Sequence, residues 1–372
     1  MRRDNRRGVS LVKGDAGFDA AVLATSFNAR DKGLRPSVLV QANDTADVVA
    51  AVQRARREGL KISICSGGHS WAQNHLRDGG LLLDMSRMDG LDIDVAQARA
   101  VIGPGLEGAR LNRETQGRGL FFPTPHAPGV CMGGFLLQGG FGWNSRKLGL
   151  GCENVVGLDL VLADGSQVHA SETENPDLFW AARGSGPGFF AVVVRYHLKL
   201  AKRPRAIGMV MQIFRMKHLE EVFTWADQVG DSVPASVEFQ ILMTPSALGI
   251  FSPGIEVIAP VLASSWKEAR EAVSFVTRSP IRKKASIALP LLPLSIETMQ
   301  KTAAKTHFPP DMHWCVDNMW TEAPMVDLLP GMRQIADTLP PAPSRTPAIQ
   351  AGKTEVESLL NRFAPHGLSS LR

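Results

Sequence analysis

The sequence predicts an α+β protein in two parts, and three observations carry that prediction. Short β-branched runs alternate with helical periods through the first two hundred residues. Glycine-rich turns interrupt them at Ile62–Trp71 (ISICSGGHSW), at Gly129–Gly151 and at Arg183–Phe190. Residues 205–300 then alternate strand and helix patterns again, as suits a second α+β domain built on an antiparallel sheet.

At 372 residues the chain is long enough for two domains and a large core. Its 44% hydrophobic and 21% charged content are ordinary for a soluble globular protein. No window approaches the ~20 apolar residues of a membrane span. The start, MRRDNRRGVSLVKGDAG, is basic but leads into no apolar h-region. The Arg2-Arg3 pair is therefore weak ground for export, and the cytoplasm is the expected location. Cys65, Cys131, Cys152 and Cys315 have no CxxC spacing, so free thiols are expected. A charge of +5 is modest, and no Lys/Arg block interleaved with aromatics points to nucleic acid.

In chain order, Phe18–Arg30 has helical spacing and Ser37–Gln41 reads as a β-branched strand. Asn43-Asp44-Thr45 offers an N-cap for a helix over Ala46–Glu58, which Gly59 ends. Leu60–Ile64 is the next strand, completing a βαβ unit that runs into Ser66-Gly67-Gly68-His69-Ser70. Two glycines let that turn bend sharply and approach a ligand, and its N–H groups suit phosphate oxygens. Gly79–Asp84 and Ala98–Ile102 are further strands. The latter enters Gly103-Pro-Gly105-Leu-Glu-Gly108, a literal GxGxxG before a helical Ala109–Gln116. A Rossmann site needs an acidic residue about 20 positions later. That region reads Phe122-Pro-Thr-Pro-His-Ala-Pro128, so a plain strand–helix turn is the preferred reading and a nicotinamide site the weaker one.

Eight of the 23 residues in Gly129–Gly151 are glycine, which regular elements tolerate poorly. Phe135, Leu136, Leu137, Phe141 and Trp143 make the segment too apolar for a solvated linker. It is expected to thread past something flat or charged. Asn154–Asp164 alternates as a strand ending at an Asp164-Gly165 hairpin turn. A helix starts at Asn175–Trp180, and Ala191–Leu200 is a strong strand. Beyond it, Ile207–Phe214 and Ser236–Met243 read as strands, Leu219–Val229 and Trp266–Thr277 as helices.

From Phe18 to Leu200 the three glycine motifs, in this order, resemble the FAD-linked oxidases with a PCMH-type (vanillyl-alcohol-oxidase-like) FAD-binding domain, in particular the berberine-bridge-enzyme-like branch. The resemblance implies a two-subdomain FAD-binding domain over 35–204 after an N-terminal segment 1–34, with a substrate domain over 205–340. It implies that the turn Ser66, Gly67, Gly68, His69 and Ser70 holds the FAD pyrophosphate and that His69 bonds covalently to the flavin 8α-methyl. It further implies that Gly133, Gly134, Gly139, Gly140, Gly142 and Ser145, within Gly133-Gly134-Phe135, Gly139-Gly140-Phe141-Gly142 and Ser145-Arg-Lys-Leu-Gly149, line the cofactor, with Val192 in the closing strand. The implied activity is an FAD-dependent oxidoreductase that takes a hydride from a secondary alcohol, sugar or amine, with O2 as the expected acceptor.

The sequence also departs from the family's pattern. Cys65 stands where relatives often carry Arg. Ala127 stands where some relatives carry a second flavin-linking Cys, and Cys131 is four residues away, so a singly attached flavin is expected. The single tyrosine, Tyr196, lies in the flavin-domain strand, and 341–372 shows none of the Tyr/Asn/Arg-rich closing segment of full members. The tail therefore reads as atypical, through truncation, a frame shift near Pro343 or a real variant end, and a flavin-binding remnant without turnover is the alternative function. His126, between two prolines, is the candidate proton acceptor or a loop histidine bonded to backbone. His307 and His313, near Trp314 and Trp320, leave base and packing roles both open. The nine histidines show no HxxxH or HExxH spacing, so no metal site is expected.

Overall fold

The computed structural model describes residues 8–246, 253–306, 308–316, 323–339 and 346–349. The chain divides into two compact units. The first holds Met1–Ser145, Gly149–Arg203 and Pro309–Asp317; the second holds Arg146–Leu148, Pro204–Phe308 and Asn318–Arg372. Residues 309–317 thus group with the first unit, although the sequence reading put them in the second domain.

The first unit begins with β1 (Val9–Val12), α1 (Phe18–Leu23), β2 (Val38–Gln41), α2 (Thr45–Glu58), β3 (Ile62–Cys65) and β4 (Leu81–Asp84). Asp44 caps α2 by accepting from the Asp47 amide, and Gly59 closes it in the left-handed region at φ 65°. The strands order as β1-β2-β4-β3, so the expected βαβ unit has the fully buried β4 inserted parallel between its two strands. The edge strand β1 is largely exposed and carried no core pattern to announce it. Helix α1 stops at Leu23, well short of the expected Arg30. The Thr25 hydroxyl donates to the Val22 carbonyl at 2.6 Å, an alternative to further helix that Ser and Thr side chains supply.

A second layer follows with β5 (Leu91–Asp94), β6 (Arg99–Ile102), α3 (Gly108–Gln116), β7 (Leu120–Phe121), α4 (Met132–Leu137), α5 (Ser145–Leu148, of which Arg146–Leu148 group with the second unit), β8 (Val155–Val161), β9 (Gln167–Ala170), α6 (Pro176–Ala182), β10 (Val192–Lys199) and β11 (Ala201–Lys202). Five of these strands form an antiparallel sheet ordered β5-β6-β10-β8-β9. Leu158, Leu160, Tyr196 and Leu198 bury one face against Met132 and Leu136 of α4. Val161, Val192 and Val194 belong instead to the core beside Val48 and Val52 of α2. Helix α4 corrects the expectation that the glycine segment holds no regular element. Gly133 and Gly134 sit inside it; at Gly133 close packing on Ser66 and Pro104 outweighs its poor helix propensity.

The second unit contains β12 (Ala206–Arg215), α7 (Leu219–Val229), β13 (Gln240–Thr244), β14 (Gly254–Ala263), α8 (Trp266–Ala272), α9 (Ser274–Thr277), β15 (Ile287–Pro293), α10 (Ile296–Thr306), α11 (Met325–Asp337) and β16 (Thr346–Ile349). Its antiparallel sheet is ordered β15-β12-β14-β13-β16, and the aromatic side chains of Trp225, Phe239 and Phe275 pack together in its core. Strand β14 is buried along its whole length, so it lacks the alternation that marks a half-buried strand. Strand β16 pairs with β13 inside the stretch 341–372; the remainder of that stretch, with His307 and Trp320, lies outside the described residues.

Candidate functional site

The turn after β3 is built by close packing on both sides. Gly68 has φ 64°, and any Cβ there would collide with the Thr25 carbonyl oxygen. The Phe27 amide donates to the Gly68 carbonyl at 3.1 Å, and the Cys65 thiol lies 3.4 Å from the Thr25 carbonyl. Residues 25–30, freed by the early end of α1, therefore form a strap over the turn. Gln73 fixes the same strap by donating to the Asn28 and Arg30 carbonyls at 3.0 and 2.8 Å.

On the other side, the turn meets the glycine segment around α4. A Cβ on Gly67 would stand 2.6 Å from Cys131 Sγ, and one on Gly133 would overlap Ser66 Oγ and Pro104. Two glycine motifs more than sixty residues apart are thus in contact through glycine surfaces. Tyr196, buried in β10, donates its hydroxyl to the Gly133 carbonyl at 2.9 Å and pins the segment to the sheet. Farther along, Gly139 and Gly140 take φ 108° and 85°. A Cβ on Gly142 would press on the Thr124 carbonyl at 2.6 Å, and the Ser145 amide donates to the Gly142 carbonyl at 3.0 Å. Gly134 differs: its Cβ direction is open.

His69 stands half-buried at the end of the turn. Its ring stacks flat on Phe27, centroids 4.4 Å apart and planes 14° from parallel. Burial drives its pKa down to about 4, against the opposing effect of a backbone hydrogen bond with Gly129, so the imidazole is neutral at pH 7. The stack continues from Phe27 to Trp314 and from Trp314 to Trp71, at 6.3 and 5.2 Å. Asn28 secures this arrangement: its amide group donates to the Trp71 and Trp314 carbonyls and its oxygen accepts from the Trp314 amide. Sequence reasoning missed Phe27 and Asn28, which it had placed in a helix.

The structure also gathers Thr124, His126 and Trp143 near Gly142. The His126 and Trp143 rings lie 4.4 Å apart, and the Trp143 amide donates to the Thr124 carbonyl. The other predicted residues are less concentrated. Ser70 accepts from the Gln73 amide, and the Val192 side chain is buried in the core beside α2. His313 is exposed. Arg146 of the Ser-Arg motif serves the second unit, donating to the Val233, Pro234 and Val237 carbonyls. The glycines of Gly103–Gly108 press on the protein itself, Gly103 on Met88 and Gly105 on Met85 and Ser86, and the Gly103, Gly105 and Gly108 amides donate to the Gly90, Met88 and Val130 carbonyls rather than standing free for phosphate.

This arrangement fits a dinucleotide flavin in two respects. Among the described residues, no protein acceptor meets the N–H groups of Gly67, His69 and Ser70, which suits anionic oxygens. Thr124 Oγ1 and Trp143 Nε1 are buried beside the glycine segment without a protein partner, and such orphans call for a ligand or water.

Residues 36–171 match the family model described as an FAD binding domain. The FAD-linked oxidoreductase nodO of Hypoxylon pulicicidum is 33% identical over 255 residues, 68% of this chain and 56% of that protein. The chain spans about half the length of the curated relatives it matches. The crystal structure of 6-hydroxy-D-nicotine oxidase from Arthrobacter nicotinovorans superposes with a TM-score of 0.79 at 26% identity, covering 94% of this chain and 77% of the other. Glucooligosaccharide oxidase of Acremonium strictum, described with a 6-S-cysteinyl, 8α-N1-histidyl FAD, gives 0.66 at 27% identity, covering 79% and 60%. Fold, glycine cradle and sequence likeness agree that the chain carries a PCMH-type FAD-binding domain, the domain of the FAD-linked oxidoreductases it resembles.

Proposed function

We propose that the protein is an FAD-dependent oxidoreductase that carries its flavin on His69 through the 8α carbon and oxidises a secondary alcohol, a sugar or an amine, with O2 as electron acceptor. One observation carries the reading: a neutral imidazole is fixed at the end of a glycine turn that packs on a second glycine segment. Neutral His69 keeps a lone pair for bond formation at pH 7, and Phe27 holds its plane. Cys131 does not compete for the flavin. Burial pushes its thiol up to about 12, so the nucleophilic thiolate is scarce and attachment is single.

Bound FAD supplies the hydride acceptor and returns the electrons to O2. The proton left on the substrate's O–H or N–H passes to His126, which stands beside Trp143 at the far end of the glycine segment. The relatives' names span a nicotine derivative and an oligosaccharide, so the substrate class is kept at small molecules with a C–H next to oxygen or nitrogen. The test is to denature the purified protein in acid and look for flavin fluorescence in its gel band. Fluorescence that His69→Ala abolishes supports the proposal. A folded protein that stays colourless with added FAD overturns it.

A further inference from the structure

A second cluster lies on the sheet face opposite α4. Asp159 on β8, His169 on β9 and His197 on β10 stand on three adjacent strands. Asp159 Oδ1 is 2.8 Å from His169 Nδ1 and 3.1 Å from His197 Nε2. All three donor atoms lie within 4.8 Å of one another. Donors about 2.0–2.2 Å from a common ion at tetrahedral to octahedral angles stand roughly 2.9–3.5 Å apart, close to the two spacings seen.

The register makes this meeting a built feature. Asp159 pairs directly with His169, and His197 pairs with Gly157. A Cβ on Gly157 would lie 2.9 Å from His169 Cε1, so that glycine gives the ring room to lie across β8 toward His197. The two imidazoles meet edge to face with centroids 5.2 Å apart. The three side chains are 29 to 37% exposed, which holds them firmly and leaves one side open to solvent. Arg195 Nη1 is 3.9 Å from Asp159 Oδ2, but its side chain is 60% exposed and free to swing away.

We propose that Asp159, His169 and His197 bind a divalent late first-row transition ion, with zinc as its representative and water completing the coordination. Two imidazole nitrogens and one carboxylate oxygen select this class over magnesium or calcium, which prefer oxygen ligands alone. Binding replaces two hydrogen bonds to Asp159 by metal–nitrogen bonds, and each neutral ring keeps its proton on the other nitrogen. The ion would staple β9, β8 and β10 from outside the flavin-binding core. The histidines lack the helical HxxxH and HExxH spacings, and these ligands come instead from three adjacent strands.

The test uses the untagged, flavin-loaded protein, treated with chelator and dialysed against zinc chloride. The wild type is expected to retain one zinc per chain by mass spectrometry and to melt at higher temperature with zinc than without. His169→Gln/His197→Gln is expected to bind at least tenfold more weakly with unchanged circular dichroism and flavin content. Should that variant fail to fold, His197→Asn alone is expected to show the same weakening. No retained zinc in the wild type, or equal retention in the folded variants, overturns the proposal.

Discussion

Phe27 lies flat on His69, 14° from parallel at 4.4 Å, in a strap that reaches the turn only because α1 ends at Leu23. A neutral imidazole has two faces, and this contact takes one of them out of play. Phe27→Ala is expected to slow flavin attachment roughly 2- to 12-fold, the equivalent of an aromatic pair worth about 0.5–1.5 kcal/mol. The time course of flavin fluorescence on denaturing gels measures it. Attachment at the wild-type rate would show that the turn alone orients His69.

The predicted site glycines separate into those the protein needs and Gly134, whose Cβ direction it leaves open. Gly68→Ala forces a side chain at φ 64° into the Thr25 carbonyl and is expected to leave little folded protein. Gly134→Ala meets nothing within 4 Å and sits in α4, so the flavin-free fold should gain about 0.5–1 kcal/mol. The same variant should load FAD several-fold less well if that open space is the cofactor's. Urea unfolding and flavin content, read on one preparation, separate the two effects.

Some of this was legible from local chemistry. Helix α2 announces itself by Asp44 and Gly59, and α7 has the predicted bounds Leu219–Val229 because its apolar face is periodic. Strand β14 was missed because burial on both faces removes alternation, and α4 because glycine argues against helix when packing is unknown. At the candidate site, the turn residues were visible as a motif, while their partners were not. Asn28 clamps Trp314 across 286 positions, and no window that short-range patterns use can span that.

Tyr196 is the only tyrosine, and its hydroxyl is wholly buried with the Gly133 carbonyl as acceptor. Burial raises its pKa far above the usual range, so it stays a donor at every working pH. Tyr196→Phe removes this bond and leaves the Gly133 carbonyl its partner within α4, so it is expected to cost about 0.5–1.5 kcal/mol. It should also loosen the contact between Gly133 and Ser66. A lowered urea midpoint together with lower flavin loading is the expected pair. An unchanged midpoint would mean that water replaces the hydroxyl.

His69 and His75 make the flavin-free protein sensitive to mild acid. Burial lowers both pKa values to about 4, from about 6.5 when unfolded. Between those values the unfolded chain holds more protons, so stability is greatest above 6.5 and falls as the pH drops toward 4. Each histidine contributes a slope of up to about 1.4 kcal/mol per pH unit. Carboxylates with lowered values, such as Glu220 and Glu268, titrate in the unfolded chain around their ordinary 4.5 and add only a small slope above pH 5, so the histidines dominate between pH 5 and 6.5. His75 Nε2 lies 3.2 and 3.1 Å from the Thr25 and Ser26 hydroxyls, contacts that glutamine can reproduce without titrating. His75→Gln should therefore keep the stability at pH 7 within about 1 kcal/mol and halve the slope. Urea midpoints at pH 5 and 6.5 for both proteins decide it: equal slopes would place the titrating groups elsewhere.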